Sequence, residues 1–162
     1  MKKIILIAAL ALGFAVAASA QDFRVGARIG SGFQVQAEYV YSGNNYFEGR
    51  FGMGWYHGGV LTADFTVLHN WNVCNMDWTP SAGQWFFDAG AGLTVGGRGH
   101  FVNLGVAGCA KLGIEFNDAP VRLSVDFTPA FGPAIVYVKG ASSAVFNEYG
   151  IANLGLSAVF SF

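Results

Sequence analysis

In segment after segment between residues 23 and 162, apolar side chains recur at every second position, and that period admits one kind of element. Successive side chains of a β-strand point to opposite faces, whereas a helical face repeats every 3.6 residues. Eight segments carry the alternation: 23–29, 33–41, 47–55, 61–67, 85–95, 102–116, 121–127 and 152–162. One parity is almost wholly apolar, as in Phe33, Val35, Ala37, Tyr39 and Tyr41, or in Val102, Leu104, Val106, Gly108, Ala110, Leu112, Ile114 and Phe116. The other carries charge: Arg24, Arg28, Glu38, Glu48, Arg50, Asp64, Asp88, Lys111, Glu115, Arg122 and Asp126. Many glycines share that second face, with Gln34, Gln36, Asn103, Ser124 and Ser157.

Residues 1–20 fall outside the pattern. Lys2 and Lys3 precede an apolar stretch from Ile4 to Ala18, and Ala18-Ser19-Ala20 supplies the small residues of a cleavage site. This reads as a secretory signal peptide, leaving residues 21–162 as a single domain that works outside the cytoplasm. No cysteine follows the cleavage site, which argues against a lipoprotein anchor.

Two opposite folds share such alternation. A water-soluble barrel keeps its apolar face inside around a ligand, whereas a transmembrane barrel turns that face to lipid and keeps its polar face within. Composition favours the second. Charged residues make up 12% of the chain, about half the ~25% of a soluble protein. The charges on the polar face are nearly balanced in sign, as an internal network of pairs requires. Glycine suits a crowded interior better than a solvent-facing strand. Aromatic residues collect near strand ends (Phe23, Tyr39, Tyr41, Trp55, Trp85, Phe116, Phe162), where interfacial girdles sit. After residue 20 no apolar run approaches the ~20 residues of a spanning helix. At ~9–11 residues per spanning strand the length suits eight strands, whose interior side chains can fill.

The expected architecture is therefore all-β: an eight-stranded antiparallel up-and-down transmembrane barrel behind a cleaved leader. With periplasmic termini, the turns fall at 42–46, 68–84 and 117–120, and the surface loops at 30–32, 56–60, 96–101 and 128–151. The first three loops are short. The long 68–84 segment, with Trp71, Met76 and Trp78, could lie on the inner leaflet surface or plug the barrel mouth.

The ending Leu154-Gly-Leu-Ser-Ala-Val-Phe-Ser-Phe162, together with the hairpin formed by Gly105–Phe116 and Val121–Pro129, resembles the small eight-stranded OmpA/OmpX-like outer-membrane barrels. The resemblance covers the whole of residues 21–162. It implies residence in the outer membrane of a Gram-negative cell, among lipids that include lipopolysaccharide. It also implies that the alternating end (Leu154, Leu156, Ala158, Phe160, Phe162) is the signal read by the barrel assembly machinery.

For chemistry, the polar-face charges read first as a packed network, with strand adjacency suggesting pairs of Arg24 or Arg28 with Glu38 and of Arg50 with Asp64. A narrow pore would need an open path past Arg24, Arg50, Lys111 and Arg122. A lipid A-modifying enzyme is the alternative of a different class: His57 and His100 in surface loops, with Ser142, Ser143 and Glu148 of the last loop, could place base, nucleophile and acid at one rim. No nucleophile elbow accompanies them, so solvated loop residues are the simpler reading.

Cys74 and Cys109 are the sole cysteines, and the ~20 Å that separates Cys109 from the periplasmic end of its strand favours two free, buried thiols over a disulfide. The histidines and cysteines lack metal-ligand spacing. Gly90-Ala-Gly92 and Gly96-Gly-Arg-Gly99 lack the helix a phosphate loop needs, so no cofactor is expected. Nine Lys+Arg against ten Asp+Glu give no footing for nucleic acid. The expectation is a monomeric outer-membrane barrel with a filled polar lumen and a structural or surface-interaction role.

Overall fold

The computed structural model describes residues 22–56, 60–98, 101–138, 141–147 and 153–161. Every regular element among them is a strand: β1 Phe23–Ile29, β2 Phe33–Ser42, β3 Asn45–Tyr56, β4 Val60–Met76, β5 Gly83–Arg98, β6 Phe101–Phe116, β7 Val121–Phe127, β8 Ala130–Val138, β9 Ala141–Asn147 and β10 Leu154–Ser161. Neighbours pair antiparallel from β1 through β7. Then β7 pairs with β10, and β10 returns to β1, so eight strands close a barrel, while among the described residues β9 is paired along one side, to β8. The expected leader lies outside the described residues.

The strands β8 and β9 replace the long loop expected at 128–151. Pro129 breaks the ladder because it has no N–H to give, and only its carbonyl takes part, accepting from Gly108 N at 2.9 Å. Beyond the break the chain resumes on the same partner. β7 lies along residues 110–115 of β6 and β8 along 101–107, while β9 folds back on β8. Pro129, Gly132 and Pro133 mask this continuation in the sequence.

The expected 68–84 turn is also mostly strand. β4 runs on to Met76 through a bulge between Asn72 and Cys74, whose extra residue shifts the alternation out of phase. The connection shrinks to residues 77–82, held by Asn117 N on Ala82 O (3.2 Å) and Asn117 Nδ2 on Pro80 O (2.9 Å). The segment is wall rather than plug. The expected 42–46 turn tightens to Gly43-Asn44, with φ of 53° and 69°, the double left-handed pair that a two-residue hairpin requires.

The distribution of side chains is inverted relative to a water-soluble domain. Outward positions expose large apolar groups, among them Phe51, Leu93, Leu104, Leu154 and Leu156. The largest enclosed side chains are instead Arg28, Arg50, Tyr46 and Lys111, each at most 2% exposed. A small apolar cluster, Leu68, Ala107 and Cys109 against Ala130, also lies inside.

Candidate functional site

Interior side chains have little room, and glycines make it. A Cβ at Gly155 would overlap the Arg28 guanidinium, one at Gly52 the Asp64 carboxylate, and one at Gly113 the Phe86 ring. The bulky polar groups thus lie across neighbouring strands and reach partners further round the barrel.

Three carboxylates organise the result. At mid-height, Glu48 on β3 accepts from Arg50 Nε at 2.6 Å, Lys111 Nζ at 2.7 Å and Asn70 Nδ2 at 2.8 Å. Lys111 also reaches Glu38 at 3.2 Å, tying β6 to β2 across the interior. Away from the termini, Asp126 on β7 takes Arg28 through Nε (2.9 Å) and Nη2 (2.8 Å), Thr128 Oγ1 (2.8 Å) and Ser157 Oγ (3.1 Å), with Arg50 Nη1 at 3.5 Å. Toward the termini, Asp88 on β5 takes Arg122 Nη2 at 2.6 Å, Tyr46 Oη at 2.9 Å and Asn72 Nδ2 at 2.9 Å. Arg122 also stacks 3.5 Å from the Phe86 ring centre.

The remaining charges lie toward the two openings. Arg24 stands 3.7 Å from both Glu38 and Glu115, whose side chain is 46% exposed. Asp64 accepts from Gln34 Nε2 at 2.6 Å, and Gln34 accepts in turn from Arg28. Each of Arg24, Arg28, Arg50, Lys111 and Arg122 has a carboxylate within 4 Å. Buried pairs of this kind are costly to break, because removing one partner strands the other.

The pairings differ from those expected by adjacency. Arg24 does face Glu38, but Arg28 bypasses it for Asp126, two strands away over Gly155. Arg50 takes Glu48 and Asp126, leaving Asp64 to Gln34. Tyr46, Asn70, Asn72 and Phe86 are full members that the sequence reading passes over. Tyr46 falls in an expected turn, Asn70 and Asn72 lie in the segment read as a loop, and Phe86 is apolar on the polar parity.

The rim constellation is only partly placed. His57, His100 and Glu148 lie outside the described residues, as does Phe162. Ser142 and Ser143 lie on β9, paired with Tyr137 and Val136. His69 stands on the outer face, its Nε2 2.6 Å from the Tyr41 hydroxyl and its ring edge-on to Phe47 and Trp71. Cys109 is buried beside Arg50 and Thr128, at 3.7 Å from each. Cys74, expected to be buried, is exposed at the β4 bulge, and the two thiols are free. Among the described residues no group of three His, Cys, Asp or Glu could hold a metal ion.

No family model, curated protein or solved structure matches the chain. Its chemistry rests on the barrel itself: an interior held by ion pairs, inside an apolar wall.

Proposed function

We propose that the protein is an integral outer-membrane barrel of a Gram-negative cell, with both termini periplasmic and a filled polar interior. In this reading it serves a structural or surface-interaction role as a monomer. The observation that carries the reading is the inverted burial: Arg28, Glu48 and Asp88 are fully enclosed while Ile29, Leu93, Leu154 and Leu156 each expose more than 60%. A continuous apolar wall of this extent exceeds what a soluble monomer presents to water. In hydrocarbon the same wall is matched to its solvent, and the closed barrel pairs strand to strand around its whole circumference.

Further support comes from the aromatic groups at the end that holds both termini. Phe23 packs on Tyr39 (5.6 Å between ring centres) and Trp78 on Trp85 (5.3 Å), and Tyr41 and Trp71 are exposed there, as befits the level of lipid headgroups. The resemblance of the ending Leu154–Phe162 to OmpA/OmpX-like barrels points to the barrel assembly machinery as a partner. Membrane fractionation of cells expressing the full chain tests the reading. The protein is expected in the outer-membrane band and resistant to alkaline carbonate. Recovery as a soluble periplasmic protein would contradict it.

A further inference from the structure

The outer wall is not uniformly convex. An apolar groove of about 450 Å³ crosses it between two rows of outward side chains. One row follows the strand register from Trp85 through Ile114, Leu123 and Ala158 to Ala27. The other, two residues along each strand, ends in Leu156 and Ile29. Alanine at 158 and 27 lowers one bank where leucine and isoleucine raise the other.

Five strands at ~4.8 Å spacing make the groove about 19 Å long, the length of an extended fatty acyl chain. It is almost wholly apolar: the Trp85 indole N–H at its end is already given to Thr79 Oγ1 at 2.8 Å, and of the two serines at its floor Ser124 is buried and Ser157 donates inward to Asp126. Its lining is a small fraction of the ~800 Å² per partner that a stable protein interface buries. A twofold contact would set the groove against itself, and two concavities face to face enclose a void.

We propose that this groove seats one saturated acyl chain of a bilayer lipid. The inference rests on the membrane reading above. A chain in the bilayer is already in apolar surroundings, so selection here comes from shape: contact on a floor and two banks gains dispersion attraction that a convex wall does not offer.

Fluorescence quenching tests it, with Trp85 as the reporter. The full chain carrying Trp55→Phe, Trp71→Phe and Trp78→Phe is reconstituted in vesicles of phosphatidylcholine brominated on its acyl chains, holding a minor fraction of dipalmitoyl phosphatidylcholine. Because the saturated chain displaces brominated ones from the groove, the recovery of Trp85 fluorescence is expected to exceed that of random lipid mixing. The excess is lost in Ala158→Phe, which fills the groove from outside, and kept in Ala63→Phe, an outward position on β4 across the barrel. Recovery at the random-mixing level before any groove substitution would overturn the groove and leave the membrane reading standing. An excess that survives Ala158→Phe would likewise overturn it. No quenching even in fully brominated vesicles would overturn both.

Discussion

Arg28 on β1 grips Asp126 on β7 through Nε and Nη2, at 2.9 and 2.8 Å, across the intervening strand β10. It does so over Gly155, which pairs with Asp126 in the β10–β7 ladder and has no side chain to stand in the way. One missing Cβ decides which acid this arginine meets.

Asp126→Asn should therefore weaken the barrel sharply, since it leaves Arg28 without its carboxylate partner in a closed interior and Arg50 with Glu48 alone. A loss of about 3–5 kcal/mol is expected, read from urea unfolding of the protein folded into lipid vesicles. Replacing both Arg28 and Asp126 by leucine should cost clearly less than the sum of the two single replacements. Strict additivity would show that the pair is not coupled.

Gly155→Val places atoms where the Arg28 guanidinium lies. Overpacking of this kind costs about 1–3 kcal/mol. In an Arg28→Leu background, where the guanidinium is gone, the same substitution should cost less. An unchanged cost would place the crowding elsewhere.

The hairpin Gly43-Asn44 holds two successive left-handed residues. Gly43→Val should destabilise by about 1–2 kcal/mol because a β-branched residue resists that backbone, while Asn44→Gly should be nearly silent. Equal effects at both positions would argue against this turn.

Because Arg24, Arg50, Lys111 and Arg122 each hold a carboxylate partner inside the barrel, no open path is expected. Planar-bilayer recordings of the intact protein should show no reproducible single-channel steps. Substantial conductance would sink the filled-interior account and favour a narrow pore.

If the rim histidines are solvated loop residues, His57→Ala and His100→Ala leave the mass spectrum of lipid A unchanged relative to cells with the natural protein. Cells with and without the natural protein should likewise match. An acyl pattern that depends on the protein and reverts with either substitution would support the enzyme reading.

Where a strand keeps strict alternation, as β1, β2 and β7 do, the chain alone reveals its bounds and which face holds charge. That legibility fails at three kinds of place. Leu68, apolar on the inward parity, and His69, polar on the outward one, break the pattern at the point where the expected strand ends, and the Asn72–Cys74 bulge then puts the last residues of β4 out of phase. Pro129 and Pro133 carry the marks of a loop: the first ends β7, while at the second the pairing with β6 lapses over 132–133 and the pairing with β9 continues. The ion pairs were illegible in detail because partners depend on register and on empty volume. Arg28 and Glu38 stand on adjacent strands, but the gap at Gly155 opens in the other direction. A glycine directly opposite an acid on the polar parity, as Gly155 is to Asp126, was the signal available.

The central claim is that the apolar parity faces lipid and the charged parity faces inward. Spin labels at single cysteines from Phe47 to Met53 on β3, in a Cys74→Ser, Cys109→Ala background reconstituted in vesicles, test it most directly. Labels at 47, 49, 51 and 53 should relax readily with oxygen and poorly with a water-soluble nickel reagent, while 48, 50 and 52 should be shielded from both. High accessibility to the nickel reagent at Phe51 and its outward neighbours would place that face in water and contradict the account.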